Sequence, residues 1–272
     1  MRSIASYLNM RTLRKVPEVT VYFWIIKLLT TALGESISDY LVHNFDPYEA
    51  VIGGFVIFVL AMLMQLIVRR YVATIYWFAV VMVAVFGTMA ADVIHIVLHV
   101  PYQDSTAGFA AALVIIFVAW YLSERTLSIH SINTPRREWF YWATVLATFA
   151  MGTAIGDLTA YSFNLGFLSS GVLFLILFTI PGLAHWLLRL NGIVAFWWAY
   201  ILTRPVGAEF ADWTGKAVKD GGLGIGNGPV ILVLGILIVG FVGYLSVTRK
   251  DIQSEPQRDL DRDLYAVQRS RT

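Results

Sequence analysis

The fold class predicted by this sequence is all-α: a polytopic membrane protein of eight transmembrane helices, arranged as four parallel two-helix repeats. Three observations predict it. First, 58% of the residues are hydrophobic and only 14% are charged, with a mean hydropathy of +0.68, a balance foreign to soluble domains. Second, apolar runs of roughly 20 residues recur along the chain, the length that crosses about 30 Å of hydrocarbon. Third, one signature occurs four times: an aromatic followed by Trp, nine residues, Gly, four residues, Asp. Chance would place only about 0.03 such matches in a chain of this composition.

The four copies are Trp24–Gly34–Asp39, Trp77–Gly87–Asp92, Trp142–Gly152–Asp157 and Trp197–Gly207–Asp212. They lie in odd-numbered spans at about 19–43, 71–98, 139–163 and 193–213. Smoother apolar runs at about 50–68, 107–123, 167–188 and 228–247 supply the even spans. The repeats thus cover about 19–68, 71–123, 139–188 and 193–247. A polar, basic segment (1–18) precedes the transmembrane region (19–248), and a charged tail (249–272) follows it. No A-x-A-like cleavage site follows the first apolar segment, so no removable signal peptide is expected. From Asp251 onward the tail has few apolar residues and is expected to be solvated.

Lys and Arg set the orientation. Arg2, Arg11, Arg14 and Lys15 precede span one; Arg69 and Arg70 follow span two; Arg125, Arg136 and Arg137 follow span four; Arg189 ends span six; Arg249 and Lys250 follow span eight. The intervening loops are acidic or neutral, apart from Lys216 and Lys219. Both termini are therefore expected in the cytoplasm, with the four signature helices running outward in parallel.

Residues four apart share a helix face. Thr30/Gly34/Ser38, Thr148/Gly152/Gly156 and Thr203/Gly207/Ala211 are small throughout, and Val83/Gly87/Ala91 departs once. Such stripes let helices approach closely in lipid. The adjacent face carries the chemistry: Glu35/Asp39/His43, Thr88/Asp92, Thr153/Asp157/Tyr161 and Ala208/Asp212/Lys216, with His95, His99 and Glu209 nearby. Close packing through the small stripes should turn these faces toward a shared interior. The Trp residues are expected to anchor at the inner membrane interface. Each Asp lies about 22 Å further along its helix, which puts the acids in the outer third of the bilayer. Lys27 is expected to snorkel, and Arg204-Pro205 to break span seven. Arg204 could instead neutralise an acid. Pro181-Gly182 reads as a kink, and His185 as a cytoplasmic-side polar residue.

Carboxylates within a membrane are costly and seldom idle. The leading expectation is transport of a cation, with a divalent metal such as manganese as cargo. Asp39, Asp92, Asp157 and Asp212 are the primary ligands, then Glu35 and Glu209, then His43 and His95. Oxygen with some imidazole suits manganese, magnesium or zinc, and the lack of cysteine disfavours copper(I). Two alternatives stand: a structural or regulatory membrane protein whose Asp residues cross-link helices, and an intramembrane aspartyl hydrolase. The hydrolase motif Gly-x-Gly-Asp is approached only at Gly156-Asp157, where Ala154 replaces the first glycine. No intramembrane H-E-x-x-H or G-x-S-x-G occurs, and Gly221–Gly228 follows no strand, so a nucleotide loop is not indicated. An enzyme is not expected, nor a cofactor, nor a nucleic-acid partner. The partners are membrane lipid and the small cation, and a homo-oligomer is compatible with the pattern.

The run Lys15-Val16-Pro17-Glu18-Val19-Thr20, with Phe23-Trp24-Ile25-Ile26-Lys27 and Thr30-Thr31-Ala32-Leu33-Gly34-Glu35, resembles a bacterial family catalogued as uncharacterised membrane-anchored proteins. The likeness covers essentially all the spans, with the repeated Gly/Asp pattern its most specific part. It implies a location in the bacterial inner membrane and assigns no site residues. The acidic helices are also similar in general style to bacterial manganese exporters, without matching a motif of theirs.

Overall fold

The computed structural model describes residues 14–252, and the expectations for segments 1–13 and 253–272 lie outside them. The described residues form eight long helices: α1 Val21–Asn44, α2 Pro47–Ile67, α3 Ala73–Asp92, α4 Tyr102–Glu124, α5 Pro135–Asp157, α6 Gly166–Leu188, α7 Gly192–Gly215 and α8 Asn227–Thr248. Six of them (α2 to α6 and α8) are long and apolar enough to cross a membrane. The other two carry Lys27, Glu35 and Asp39 in α1, and Arg204, Glu209 and Asp212 in α7.

Local chemistry sets the helix ends. Thr20, Asp46, Thr134 and Asn191 cap α1, α2, α5 and α7 by accepting backbone N–H bonds, with Pro47 and Pro135 in the first turn. The outer helices α4, α6 and α8 end on Arg125, Arg189 and Arg249, each in the left-handed conformation. A cation there complements the negative pole of the helix, and all three arginines lie at the end that carries the Trp residues. Pro181 and Pro205 both lie inside continuous helices, so Arg204-Pro205 does not break α7.

The four signature helices form a closed inner ring in which α1 packs on α3, α3 on α5, α5 on α7, and α7 on α1. The glycine stripe builds this ring. A Cβ on Gly34 would collide with Ala84; on Gly87 it would lie 2.8 Å from the Phe149 Cβ; on Gly152, 2.5 Å from the Arg204 Cγ; on Gly207 it would collide with Thr31. Each of these partners stands three residues before the glycine of the next repeat. The contact therefore recurs at equivalent positions around a pseudo-fourfold axis, which requires the inner helices to run parallel.

The aromatic pair preceding the stripe obeys the same cyclic rule. Phe23 meets Trp77 at a centroid separation of 5.6 Å, Tyr76 meets Trp142 at 5.6 Å, Tyr141 meets Trp197 at 6.3 Å and Phe196 meets Trp24 at 5.7 Å. These rings seal one end of the bundle. The Trp residues are consequently not interfacial anchors: Trp77, Trp142 and Trp197 are buried, and Trp24 is half-buried. Tilted ring-to-ring contacts between neighbouring helices account for them.

The outer helices do not form tight hairpins with their own repeat. Instead α2 packs chiefly on α3, α4 on α5, α6 on α7, and α8 closes the circle on α1. Each sequence repeat is thus split between two packing units. The outer helices leave large apolar side chains such as Ile57, Ile115, Ile176 and Val239 uncovered, the surface expected to face lipid.

A strap at 14–20 crosses the sealed end. The Tyr71 N–H donates to the Arg14 carbonyl (2.9 Å), the Lys15 N–H to Ile132 (3.2 Å) and the Glu18 N–H to Asp251 (2.8 Å). The Lys15 Nζ also reaches Glu138 Oε2 (2.5 Å), which accepts from Gln65 through its other oxygen. The Tyr71 hydroxyl donates to Asp251, and burial together with that carboxylate holds the phenol above its ordinary range.

Candidate functional site

Above the glycine level the axis turns polar. Arg204 extends from α7 over Gly152, whose missing side chain leaves room for the arginine stem. Its Nη2 donates to Glu35 Oε2 of α1, to the Thr88 hydroxyl of α3 and to the Thr153 hydroxyl of α5 (2.9 Å to Thr153). Its Nη1 donates to the Thr31 carbonyl at 3.1 Å. One guanidinium thereby ties together all four inner helices. The planar fork of arginine suits this task better than the point charge of lysine.

Lys27 lies on the aromatic side of that bond network and is 1% exposed. Its Nζ sits 3.9 Å from the centre of the Phe149 ring and 4.1 Å from that of Tyr200, with no hydrogen-bond acceptor among the described residues. It does not snorkel; cation–π contacts hold it near the axis. The side chain is too deep to reach an interface because the ring around it is closed.

On the other side of Arg204 lie the acids. Carboxylate oxygens of Glu35, Asp39 and Asp212 come within 4.8 Å of one another, a spacing that could hold a metal ion. Asp92 is within electrostatic reach of Glu35, Asp39 and Asp157, and Asp157 of Glu35, Asp212 and Glu209. Glu209 is 2% exposed, and its Oε2 has no hydrogen-bond partner among the described residues. The four repeats thus direct six carboxylates toward one acidic region of the bundle, called the chamber below, with three of them close-set at the seam between α7 and α1.

The two histidines among the expected ligands do not join the close-set group. His43 is exposed, and its Nδ1 contacts the Asp39 carbonyl at 2.7 Å. The His95 Nδ1 contacts the Val100 carbonyl at 2.7 Å, and its ring stacks on Tyr102 at 3.3 Å. His95 belongs to a cover over the chamber. Immediately after Asp92 and Asp157, α3 and α5 loosen into π-helical turns at Val93–Val97 and Leu158–Ser162. Such turns are frequent at functional sites. They bring Tyr102 alongside Tyr161 (6.0 Å, stacked) and Tyr161 against Phe167 (5.5 Å).

Lys216, at the C-terminal end of α7, completes the chamber. Its Nζ lies 2.9 Å from Asp212 Oδ2 and 3.8 Å from Asp39 Oδ2, and donates to the Tyr161 hydroxyl at 3.1 Å. Sequence reasoning placed Lys216 on the acidic face without giving it a role. Its offset of four from Asp212 was the available signal, since that spacing alone brings an ion pair together on a helix. Thr88 and Thr153 were visible on the same face, but nothing local identified Arg204 as their partner. An open cavity of about 1100 Å³ is remote from this chemistry. It opens at the sealed end, lined in part by Trp24, Phe178, Phe196, His130 and His185, and by none of the six acids.

The DUF347 repeat, a repeat of unknown function, matches residues 22–71, 75–126, 140–190 and 195–251. Each match begins two residues before a signature Trp, so the sequence repeat and the cyclic contacts share one register. No curated protein and no solved structure matches the chain. With four copies covering most of its length, this chain belongs to the DUF347 repeat family.

Proposed function

We propose that this chain is a bacterial inner-membrane protein of eight spans that carries a divalent cation, such as manganese, through its acidic chamber. Both termini are cytoplasmic in this reading. The arginine-capped ends of α4, α6 and α8 gather on the sealed side together with Arg69 and Arg70, as cytoplasmic charge does. The acids then open toward the outer face.

The observation that carries the proposal is the set Glu35, Asp39 and Asp212, with ligand oxygens within 4.8 Å of one another. Among the described residues, six carboxylates face two chamber cations, Arg204 and Lys216. Hard oxygen donors of this kind suit magnesium or manganese. The unpartnered oxygen of Glu209 adds capacity that the protein's own donors leave unused. A purely structural network would pair its acids with its own cations, and here the acids exceed them.

The test is manganese uptake or efflux by proteoliposomes containing the full chain. Wild-type protein moves the ion, whereas Asp39→Asn and Asp212→Asn variants insert normally and do not. No flux above that of empty vesicles, or full flux by both variants, removes the proposal.

A further inference from the structure

We propose that Lys216 is a tethered ammonium seated in the cation site, and that it restricts the site to ions of charge two or more. This inference rests on the chamber being a cation site. It adds the residue that makes that site select by charge.

The position supports it first. The Lys216 Nζ touches two of the three carboxylates that form the close-set group, Asp212 at 2.9 Å and Asp39 at 3.8 Å. It stands where an incoming ion would sit. The place nine residues after the signature glycine holds His43, Ile96 and Tyr161 in the other repeats, so the lysine is a peculiarity of the fourth.

Mobility separates it from Arg204. The Arg204 side chain is 1% exposed and bonded to three neighbouring helices. The Lys216 side chain is 22% exposed, follows the last turn of α7, and has one flank on the Tyr161 and Phe167 rings. A flexible four-carbon stem at a helix end can swing to solvent without breaking the ring. Arg204 is a rivet, and Lys216 is displaceable.

A second observation supports a ligand here: among the described residues Glu209, more than nine-tenths buried, leaves Oε2 without a hydrogen-bond partner, and Asp39 does the same at Oδ2. Charge then decides the competition. A sodium or potassium ion offers the acids the same single charge as the ammonium, which the chain holds at high effective concentration. A divalent ion offers twice the charge and direct oxygen ligation, so it can evict the lysine where a monovalent ion cannot.

The experiment is calorimetric titration of the purified full chain in nanodiscs with manganese chloride, with and without sodium chloride at constant ionic strength. Wild type binds manganese with an affinity indifferent to sodium. Lys216→Gln binds manganese at least tenfold more tightly and becomes sodium-sensitive, while Lys216→Arg behaves like wild type. If Lys216→Gln binds no more tightly and stays indifferent to sodium, Lys216 is structural and this inference fails, although the cation site stands. If neither wild type nor Lys216→Gln binds manganese, the site itself fails and the inference with it. A second measurement on wild-type protein guards against a variant that does not fold. Acylation of the Lys216 amine, followed by mass spectrometry, should accelerate at least fivefold when manganese is added. An unchanged rate overturns the displacement.

Discussion

Repeats one and four differ from repeats two and three in what they bring to one ring. The first and fourth supply the charges: Glu35 and Asp39 from α1, and Arg204, Glu209, Asp212 and Lys216 from α7 with its last turn. The second and third supply hydroxyls at the same level, Thr88 and Thr153, and one Asp each. Their helices also loosen into π-helical turns just past that Asp, whereas α1 and α7 continue as α-helix. The lesson is that a fourfold backbone supports a one-sided site. Symmetric positions (the aromatic pair and the glycine) build the scaffold, and the chemistry is concentrated at the single seam where the ring closes.

The largest expected effect breaks that seam. Arg204→Met leaves Glu35 buried without its partner and should lower stability by about 3–5 kcal/mol, read as a fall in the thermal unfolding midpoint in detergent. The double variant Glu35→Gln/Arg204→Met should recover most of that loss. A double variant no more stable than the single one would mean that Arg204 acts mainly through the threonines.

The scaffold should respond evenly instead. Gly87→Val and Gly207→Val sit on opposite sides of the comparison, and both face a neighbouring helix at close approach. Each should cost about 1–3 kcal/mol from overpacking. Gly53→Ala, with open space around the added methyl, should be nearly neutral by the same measurement. Unequal costs at the two ring glycines would weaken the cyclic description of the scaffold.

Smaller effects sharpen the chemical asymmetry. Asp39→Asn and Asp212→Asn should weaken manganese binding by about tenfold or more, equivalent to about 1.4 kcal/mol. Asp92→Asn and Asp157→Asn, further from the close-set oxygens, should weaken it by less than about threefold. Smallest of all, His43→Ala and His95→Ala should change affinity by less than about twofold, because the Nδ1 of each already faces a backbone carbonyl and neither ring joins the close-set oxygens. Equal losses across all four aspartates would place the ion on the axis rather than at the seam.

How legible was this in the sequence? The helix periods placed all eight elements, and the small stripes pointed to close inner packing, because 3.6-residue geometry tells which side chains share a face. A face does not name its neighbour. Nothing in the periodicity of α2 distinguishes packing on α1 from packing on α3, so the splitting of each repeat between two units was hidden. The Trp residues misled for a related reason. Trp is enriched both at lipid interfaces and in aromatic pairs, and only the second aromatic beside each Trp hinted at a partner across the groove. Lys27 was read by its depth along one helix, whereas its fate depends on Phe149 and Tyr200, more than a hundred residues away in sequence. The acids were legible as a set, because Asp in an apolar run is costly wherever it lies. Their grouping into a close trio was not, since it depends on which helices are adjacent at the closing seam.

The way α8 closes on α1 also bears on how the protein is made. During synthesis α1 emerges first with Lys27, Glu35 and Asp39, but the side chains that face these groups in the finished ring come largely from α7, some 170 residues later, with Arg204 bonded to Glu35 across a separation of 169. Each outer helix likewise waits for the inner helix of the following repeat, and α8 alone completes its contact by returning to the beginning. Assembly is therefore a relay with a late lock: truncation after the third repeat would leave a chain with three-quarters of its helices and without Arg204 and Lys216, the cations that pair with Glu35, Asp39 and Asp212.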